Sequence, residues 1–259
     1  MEYFIWSINP NIVEIGSIKV HWYGLFFISS FLIGQIFMGW VFKREGRDDS
    51  LVNLYILYMM IGTLVGARLA HCFFYDPSYY IANPVEILHI GKGGLASHGG
   101  MMGVILATYI FSLRYKFSFF WLLARLSIPG TLCAIFVRFG NFFNSEILGL
   151  PTELPWAVIF SNVDMIPRHP VQLYEALAYF ILLIILFTVY KKSTPTFATK
   201  VLPGIFFLIM FTSRFLIEYF KTKQSTYVLD VPFTTGQLLS IPFIILGLIW
   251  LIWALKSSK

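Results

Sequence analysis

Residues 20–42 run without a single Lys, Arg, Asp or Glu, and comparable apolar runs recur at roughly 51–74, 98–111, 119–137, 171–190, 201–220 and 236–255. Each is close to the ~20 residues that a helix needs to cross the hydrocarbon of a bilayer, although the run from His98 is short enough to be tilted or re-entrant. Hydrocarbon offers no hydrogen bonds to a backbone, so only helices and closed barrels span it. The runs are continuous rather than alternating, which selects helices. The expected fold is an all-α integral membrane protein with about seven transmembrane helices, forming a single domain over 1–259. With 58% hydrophobic and 12% charged residues, the chain carries about half the charge of a soluble domain. Cys72 and Cys133 both fall inside apolar runs and are read as small buried residues rather than a disulfide.

The charged loops give an orientation. Ten Lys and Arg residues, Lys43, Arg44, Arg114, Lys116, Lys191 and Lys192 among them, fall in one set of loops, and six, including Lys19, Lys92 and Arg168, fall in the other. The richer set is expected in the cytoplasm. That places the N-terminus outside and the C-terminus inside. The net charge of +6 therefore belongs to topology and implies no nucleic acid. Residues 1–19 are polar enough to lie on the membrane surface. The stretch 138–170, with Pro151, Pro155 and Pro167, is expected to form an external arm or head.

In this orientation the polar residues of the apolar runs gather in the outer half of the bilayer. They include Tyr23, Arg68, His71, His98, Arg138, Asn141, His169, Gln172, Tyr174, Arg214, Glu218 and Gln237. Arg125 is the exception, near the cytoplasmic end, and is read as snorkelling to headgroups. Intramembrane charge is costly and marks function by default. A polar chamber on the outer side, with apolar walls, suits a ligand with an anionic head and apolar tails, as a phospholipid has. Three or more arginines at one depth without matching carboxylates favour such a ligand. Arg214 and Glu218, four residues apart, also satisfy the spacing of an ordinary helix pair.

Four stretches carry the chemistry. Arg138 to Gly149 (RFGNFFNSEILG) supplies a guanidinium suited to a bidentate grip on phosphate, neutral donors from Asn141 and Asn144, and Glu146 to orient the arginine. A capped loop with local hydrogen bonds is the alternative. His98-Gly99-Gly100-Met101-Met102-Gly103 sets an imidazole beside glycines that admit close approach, either of a ligand or of a neighbouring helix. Arg168 to Glu175 (RHPVQLYE) reads as a helix start whose His169, Gln172 and Tyr174 either line a site or anchor at the interface. His21-Trp22-Tyr23-Gly24 places Trp22 in an aromatic belt and leaves Tyr23 open. No serine elbow, zinc helix or Walker-type phosphate loop is present.

Taken in order and spacing, these stretches, with Arg214-Phe215, Glu218 and Gly236-Gln237-Leu238-Leu239-Ser240, resemble bacterial prolipoprotein diacylglyceryl transferases over almost the whole chain. Val137 stands where that family usually has Gly, and Lys221 where an arginine is common. The resemblance implies transfer of an sn-1,2-diacylglyceryl group from phosphatidylglycerol to the lipobox cysteine of a prolipoprotein signal peptide, in the bacterial cytoplasmic (inner) membrane. Glycerol phosphate leaves, and neither metal nor cofactor takes part. It further implies that His98, Arg138 and Arg214 are catalytic, with His98 as base for the thiol and the two arginines on the phosphate. Tyr23, Gly99, Gly100, Asn141, Asn144, Glu146, Gly149, His169, Gln172, Tyr174 and Glu218 would bind substrate. An organic-anion transporter and a non-catalytic membrane subunit are the rival readings of the same arginines.

Overall fold

The structure, a computed structural model, describes residues 2–16, 18–89, 94–222 and 233–257, with the side chains of Ile18 and Ser97 outside the described residues. The described residues form helices α1 (Trp22–Arg44), α2 (Val52–Phe74), α3 (Pro77–Ala82), α4 (Ser97–Tyr115), α5 (Phe119–Phe143), α6 (Val171–Lys192), α7 (Pro195–Ile217) and α8 (Thr235–Lys256). Five short strands accompany them: β1 (Phe4–Trp6), β2 (Asn11–Ile15), β3 (Ile18–His21), β4 (Val158–Phe160) and β5 (Pro167–Arg168). Six helices, α1, α2, α5, α6, α7 and α8, are long and apolar enough to cross a membrane. The protein is thus a mostly helical membrane protein. At 19 residues, α4 spans about 28 Å, so composition rather than length keeps it out of that set: Ser97, Gly99, Gly100, Gly103 and Arg114 interrupt it.

Local signals end the helices where the sequence provides them. Thr194 caps α7 by accepting from the Phe197 amide at 3.3 Å, with Pro195 in the first turn. Thr234 and Gln237 form a reciprocal capping box on α8. Lys116 takes a left-handed φ of 57° and stops α4.

The chain divides into two compact units, one of residues 1–34 and 126–259, the other of residues 35–125. In the second unit α2 packs on α4 through facing small-xxx-small pairs, Gly62 and Gly66 against Gly99 and Gly103. A Cβ on Gly103 would overlap the Gly62 carbonyl oxygen, and one on Gly99 would overlap that of Gly66. Packing therefore accounts for Gly99 and Gly103. Gly100 is not so constrained, since a Cβ there would stand 3.4 Å from Thr63 Cγ2. Gly103→Val is expected to lower stability in detergent by more than the ~1–3 kcal/mol of ordinary overpacking, because a backbone carbonyl rather than a side chain must yield. Thermal unfolding beside Gly100→Ala, expected near wild type, checks this.

The same unit corrects the reading of Arg125. It does not snorkel: it is fully buried and donates to both oxygens of Glu45, from Nε at 3.0 Å and from Nη2 at 2.8 Å. Trp121 Nε1 donates to the same carboxylate at 2.7 Å, and its ring lies between the guanidinium groups of Arg125 and Arg47, 5.0 and 5.4 Å from the centroid. Arg68 is likewise buried, and donates to the carbonyls of Ile87 and Gly94 at 2.9 and 3.2 Å.

In the first unit α5 continues past residue 137, its expected end, to Phe143. Its last turn is held by an aromatic core in which Phe142, Val158 and Phe160 are buried against Trp6, Phe143, Leu148 and Leu173. β4 runs parallel to β1 and antiparallel to β5. N-terminal residues expected only to lie on a surface thus complete a small sheet, and β2 and β3 add an antiparallel hairpin. Beside the sheet, residues 148–151 bridge Lys221 on one flank, through Gly149, and Arg168 on the other, through Pro151.

Candidate active site

Arg138 and Asn141 sit three residues apart near the end of α5, so they share a face. Arg138 Nη1 donates to Asn141 Oδ1 at 3.2 Å. Asn141 Nδ2 donates to Glu146 Oε2 at 3.1 Å, and Asn144 Nδ2 to Glu146 Oε1 at 3.2 Å. The turn that carries Glu146 is strained. Ser145 and Ile147 take φ of 54° and 56°, and for a β-branched residue the left-handed region is a genuine outlier. Such strain persists only where the surroundings over-determine it. Here the Glu146 amide donates to the Asn141 carbonyl at 2.8 Å, and the fully buried Gln172 donates from Nε2 to the Glu146 carbonyl at 2.6 Å.

A second carboxylate holds the centre. Glu175 on α6 is fully buried. Its Oε2 lies 3.2 Å from Arg138 Nη1, while its Oε1 accepts from Lys221 Nζ at 2.9 Å and from Tyr179 Oη at 3.3 Å. Lys221 Nζ also lies 3.2 Å from Glu218 Oε2. Glu218 in turn accepts from Thr234 Oγ1 at 3.2 Å, and it packs so closely on Gly236 that no Cβ fits there. Among the described residues Glu218 thus pairs with Lys221 and not with Arg214, against the simple four-residue pairing. Arg214 acts electrostatically on Glu175 and Tyr179. Tyr23 reaches the cluster from α1: Gly140 admits it so closely that a Cβ would lie 2.6 Å from Tyr23 Cδ2.

The expected surplus of arginine over carboxylate needs correcting. Arg138 and Lys221 pair directly with Glu175 and Glu218, Arg214 acts on Glu175 only electrostatically, and Glu146 reaches Arg138 only through Asn141. Arg168 has its own partner, Asp164, at 2.6 Å, and that hydrogen bond holds the Asp164 carboxyl below the usual carboxylate range. With Glu146 counted, cations and carboxylates match in number. What the site retains is unmet hydrogen-bonding capacity. Arg138 Nε is a buried donor that meets no acceptor among the described residues, and the acceptors Gln172 Oε1, Asn144 Oδ1 and Glu175 Oε2 and the hydroxyl Ser145 Oγ are also without a hydrogen-bond partner there. Buried polar atoms are nearly always paired, so five unmatched around one arginine set this place apart.

His169 and Tyr174 form a separate group. Trp156 Nε1 donates to Tyr174 Oη at 2.7 Å, which leaves the tyrosine proton for His169 Nδ1 at 3.2 Å. Burial pushes the His169 pKa down, which favours the neutral imidazole that this bond requires. Gly149 lies against His169, where a Cβ would overlap the His169 carbonyl oxygen, so its glycine serves strand packing. His98, Gly99 and Gly100 belong to the other unit. His98 is exposed in the first turn of α4. Sequence reasoning gave Glu175 only a place in the group lining the pocket, and missed its pairing with Arg138 and Lys221 and the part of Tyr179; an acidic residue four before a tyrosine at the start of an apolar helix was the available signal.

Comparison with known proteins gives a consistent result. Residues 10–253 match the family model described as prolipoprotein diacylglyceryl transferase. A protein of Chloroherpeton thalassium is 44% identical over 259 residues, covering 100% of this chain and 97% of its own length, and is named phosphatidylglycerol–prolipoprotein diacylglyceryl transferase. A protein of Tolumonas auensis with the same name is 44% identical over 254 residues, covering 98% of each. A Bacteroides fragilis protein of that name is 34% identical over 266 residues, covering 98% of this chain and 96% of its own length.

Proposed function

Because this chain belongs to the prolipoprotein diacylglyceryl transferase family, we propose that the buried cluster around Arg138 is where it moves a diacylglyceryl group from phosphatidylglycerol to a prolipoprotein cysteine. The cysteine sulfur attacks the glycerol carbon that bears the phosphate. A carbon–sulfur bond forms, the carbon–oxygen bond breaks with its electrons going to the phosphate ester, and glycerol phosphate leaves. A thiol attacks as thiolate, so its proton must first be removed. His98 takes that proton, since an imidazole titrates near neutrality. Negative charge then grows on the leaving phosphate.

Arg138 and Arg214 meet that charge in a water-poor site, where fixed cations are most effective. The observation that carries this reading is the state of Arg138. Glu175 and Asn141 fix one end of the guanidinium, and Nε stays buried without a protein acceptor among the described residues. That is an oriented fork with donors left for a phosphate. Glu146 and Gln172 hold Asn141 in line, and Lys221 balances the charge of Glu175 beside the arginine. Tyr23, Asn144 and the His169–Tyr174 pair line the headgroup and acceptor approach, and Glu218 orients Lys221. The membrane is the bacterial cytoplasmic one, with the N-terminus and this cluster toward its outer face.

Thioether formation from phosphatidylglycerol and a lipobox peptide tests the assignment. Arg138→Ala is expected to remove turnover in protein that still elutes as folded in detergent. Arg138→Lys is expected to fall at least ~100-fold, because a point charge cannot keep both the clasp and a bidentate phosphate; near-normal rates would refute the fork. His98→Gln is expected to fall furthest behind wild type at and above neutrality, where an imidazole is free to accept the proton, and unchanged activity of the variant across about pH 6 to 9 would remove the base role.

A further inference from the structure

α5 and α6 do more than meet at Arg138 and Glu175. Each turns a second stripe, one step of about 100° around the helix, toward an apolar cleft of about 460 Å³. On α5 the wall is Leu132, Ile135, Phe136 and Phe139, the i, i+3, i+4, i+7 spacing of a single face. On α6 the wall runs from Leu173 to Leu183 and includes Ala176 and Leu177. No polar side chain among the described residues lines it.

The neighbouring stripe on α5 carries Arg138 and Asn141, and that on α6 carries Gln172, Glu175 and Tyr179. The cleft therefore begins at the depth of the polar cluster. From Phe139 back to Leu132, and from Leu173 on to Leu183, it leads away from the outer helix ends, toward the middle of the two spans. Ten residues of α6 rise about 15 Å, which equals one leaflet of a hydrocarbon core about 30 Å thick.

We infer that this cleft holds one acyl chain of the diacylglyceryl donor and sets chain-length preference. The inference rests on the transferase reading above. Three features point to an acyl chain rather than a packed helix face. The lining is wholly apolar, the length is that of one leaflet, and the upper end lies at the depth, along both helices, of the cations that would take the lipid's phosphate. Ala176, 4% exposed, is the small residue of the α6 wall, and its size leaves the depth of the cleft open. Leu177 and Phe180, 61% and 51% exposed, form the rim toward the bilayer. One side of the chain then rests on protein and the other on lipid, which allows lateral entry without an opening movement. A chain that packs against fixed walls loses affinity when they advance, at the free energy of the methylenes excluded.

The test compares dioctanoyl with dipalmitoyl phosphatidylglycerol as donors to one lipobox peptide. Leu183→Trp, which fills the far end of the cleft about 15 Å from Leu173 and past the reach of an eight-carbon chain, is expected to lower the long-to-short ratio of kcat/KM about tenfold, the loss of roughly two buried methylenes. The loss should lie in KM for the long lipid. Leu132→Trp fills the far end of the α5 wall, about 10 Å from Phe139, and is expected to shift the ratio in the same direction, so the test survives if Leu183→Trp does not fold. A ratio equal to wild type in a folded variant, or an equal loss with both lipids, would mean that the cleft meets only annular bilayer lipid and would overturn the inference. Wild-type turnover with the two donors reports on the transferase reading by itself, so the two failures are distinguishable.

Discussion

Glu175→Gln is expected to lower kcat/KM for thioether formation by at least ~100-fold and to destabilise the protein by about 3–5 kcal/mol. The carboxylate touches Arg138 on one oxygen and Lys221 and Tyr179 on the other, in a place with no solvent exposure. Removing one member of a buried ion pair strands the rest, and a loss of about 3–5 kcal/mol is typical. Two cations are stranded here. Arg138 would also lose the contact that fixes one end of its fork, and its phosphate geometry with it. The measurement is a comparison of kcat/KM with unfolding in detergent. Lys221→Met combined with Glu175→Gln removes one stranded cation, so it should recover part of the stability and none of the rate. If Glu175→Gln alone keeps wild-type kcat/KM, the orienting role is wrong, whatever its stability.

Glu45→Ala should give the largest loss of stability away from the cluster, again about 3–5 kcal/mol. Arg125 is wholly buried and its bidentate partner is that single carboxylate, which also accepts from Trp121. The ring contacts on either side of Trp121 would loosen as well. Arg125→Met, which removes the charge with the need for a partner, is expected to cost less than Glu45→Ala. Unfolding of the two variants in one detergent decides it, and the reverse order would show that Arg125 reaches water.

What could be read from the chain divides by sequence distance. The spans follow from unbroken apolar length, which a bilayer demands whatever the tertiary structure. The Arg138–Asn141–Glu146 relay was legible because its members lie within nine residues (138–146) and a helix end brings them together. The clasp of Glu175 by Lys221 joins residues 46 apart, and that of Arg125 by Glu45 residues 80 apart. No local rule points across such separations, so Arg125 read as snorkelling and Glu175 as one polar residue at a helix start. α5 was expected to end at Val137, just before Arg138. It continues because Arg138 finds a carboxylate inside the protein, so its charge marks no boundary. The pairing of β1 with β4 was hidden for the same reason. At Ile147 local preference argued against the observed turn, and only the bonds around Glu146 hold it there.

Lys221 owes its position to a pairing at the margin of the bilayer. Its neighbours are zipped to the segment that follows the strained turn: the Leu150 amide donates to the Phe220 carbonyl at 2.8 Å, and the Thr222 amide to that of Leu148 at 3.0 Å. Slipping that zipper by one residue would slide the ammonium about 3.3 Å and turn it to the opposite side. Fidelity of alignment outside the hydrocarbon therefore fixes the charge balance within it, and a chain that threads every span correctly still becomes an enzyme only when those few amides find their intended carbonyls.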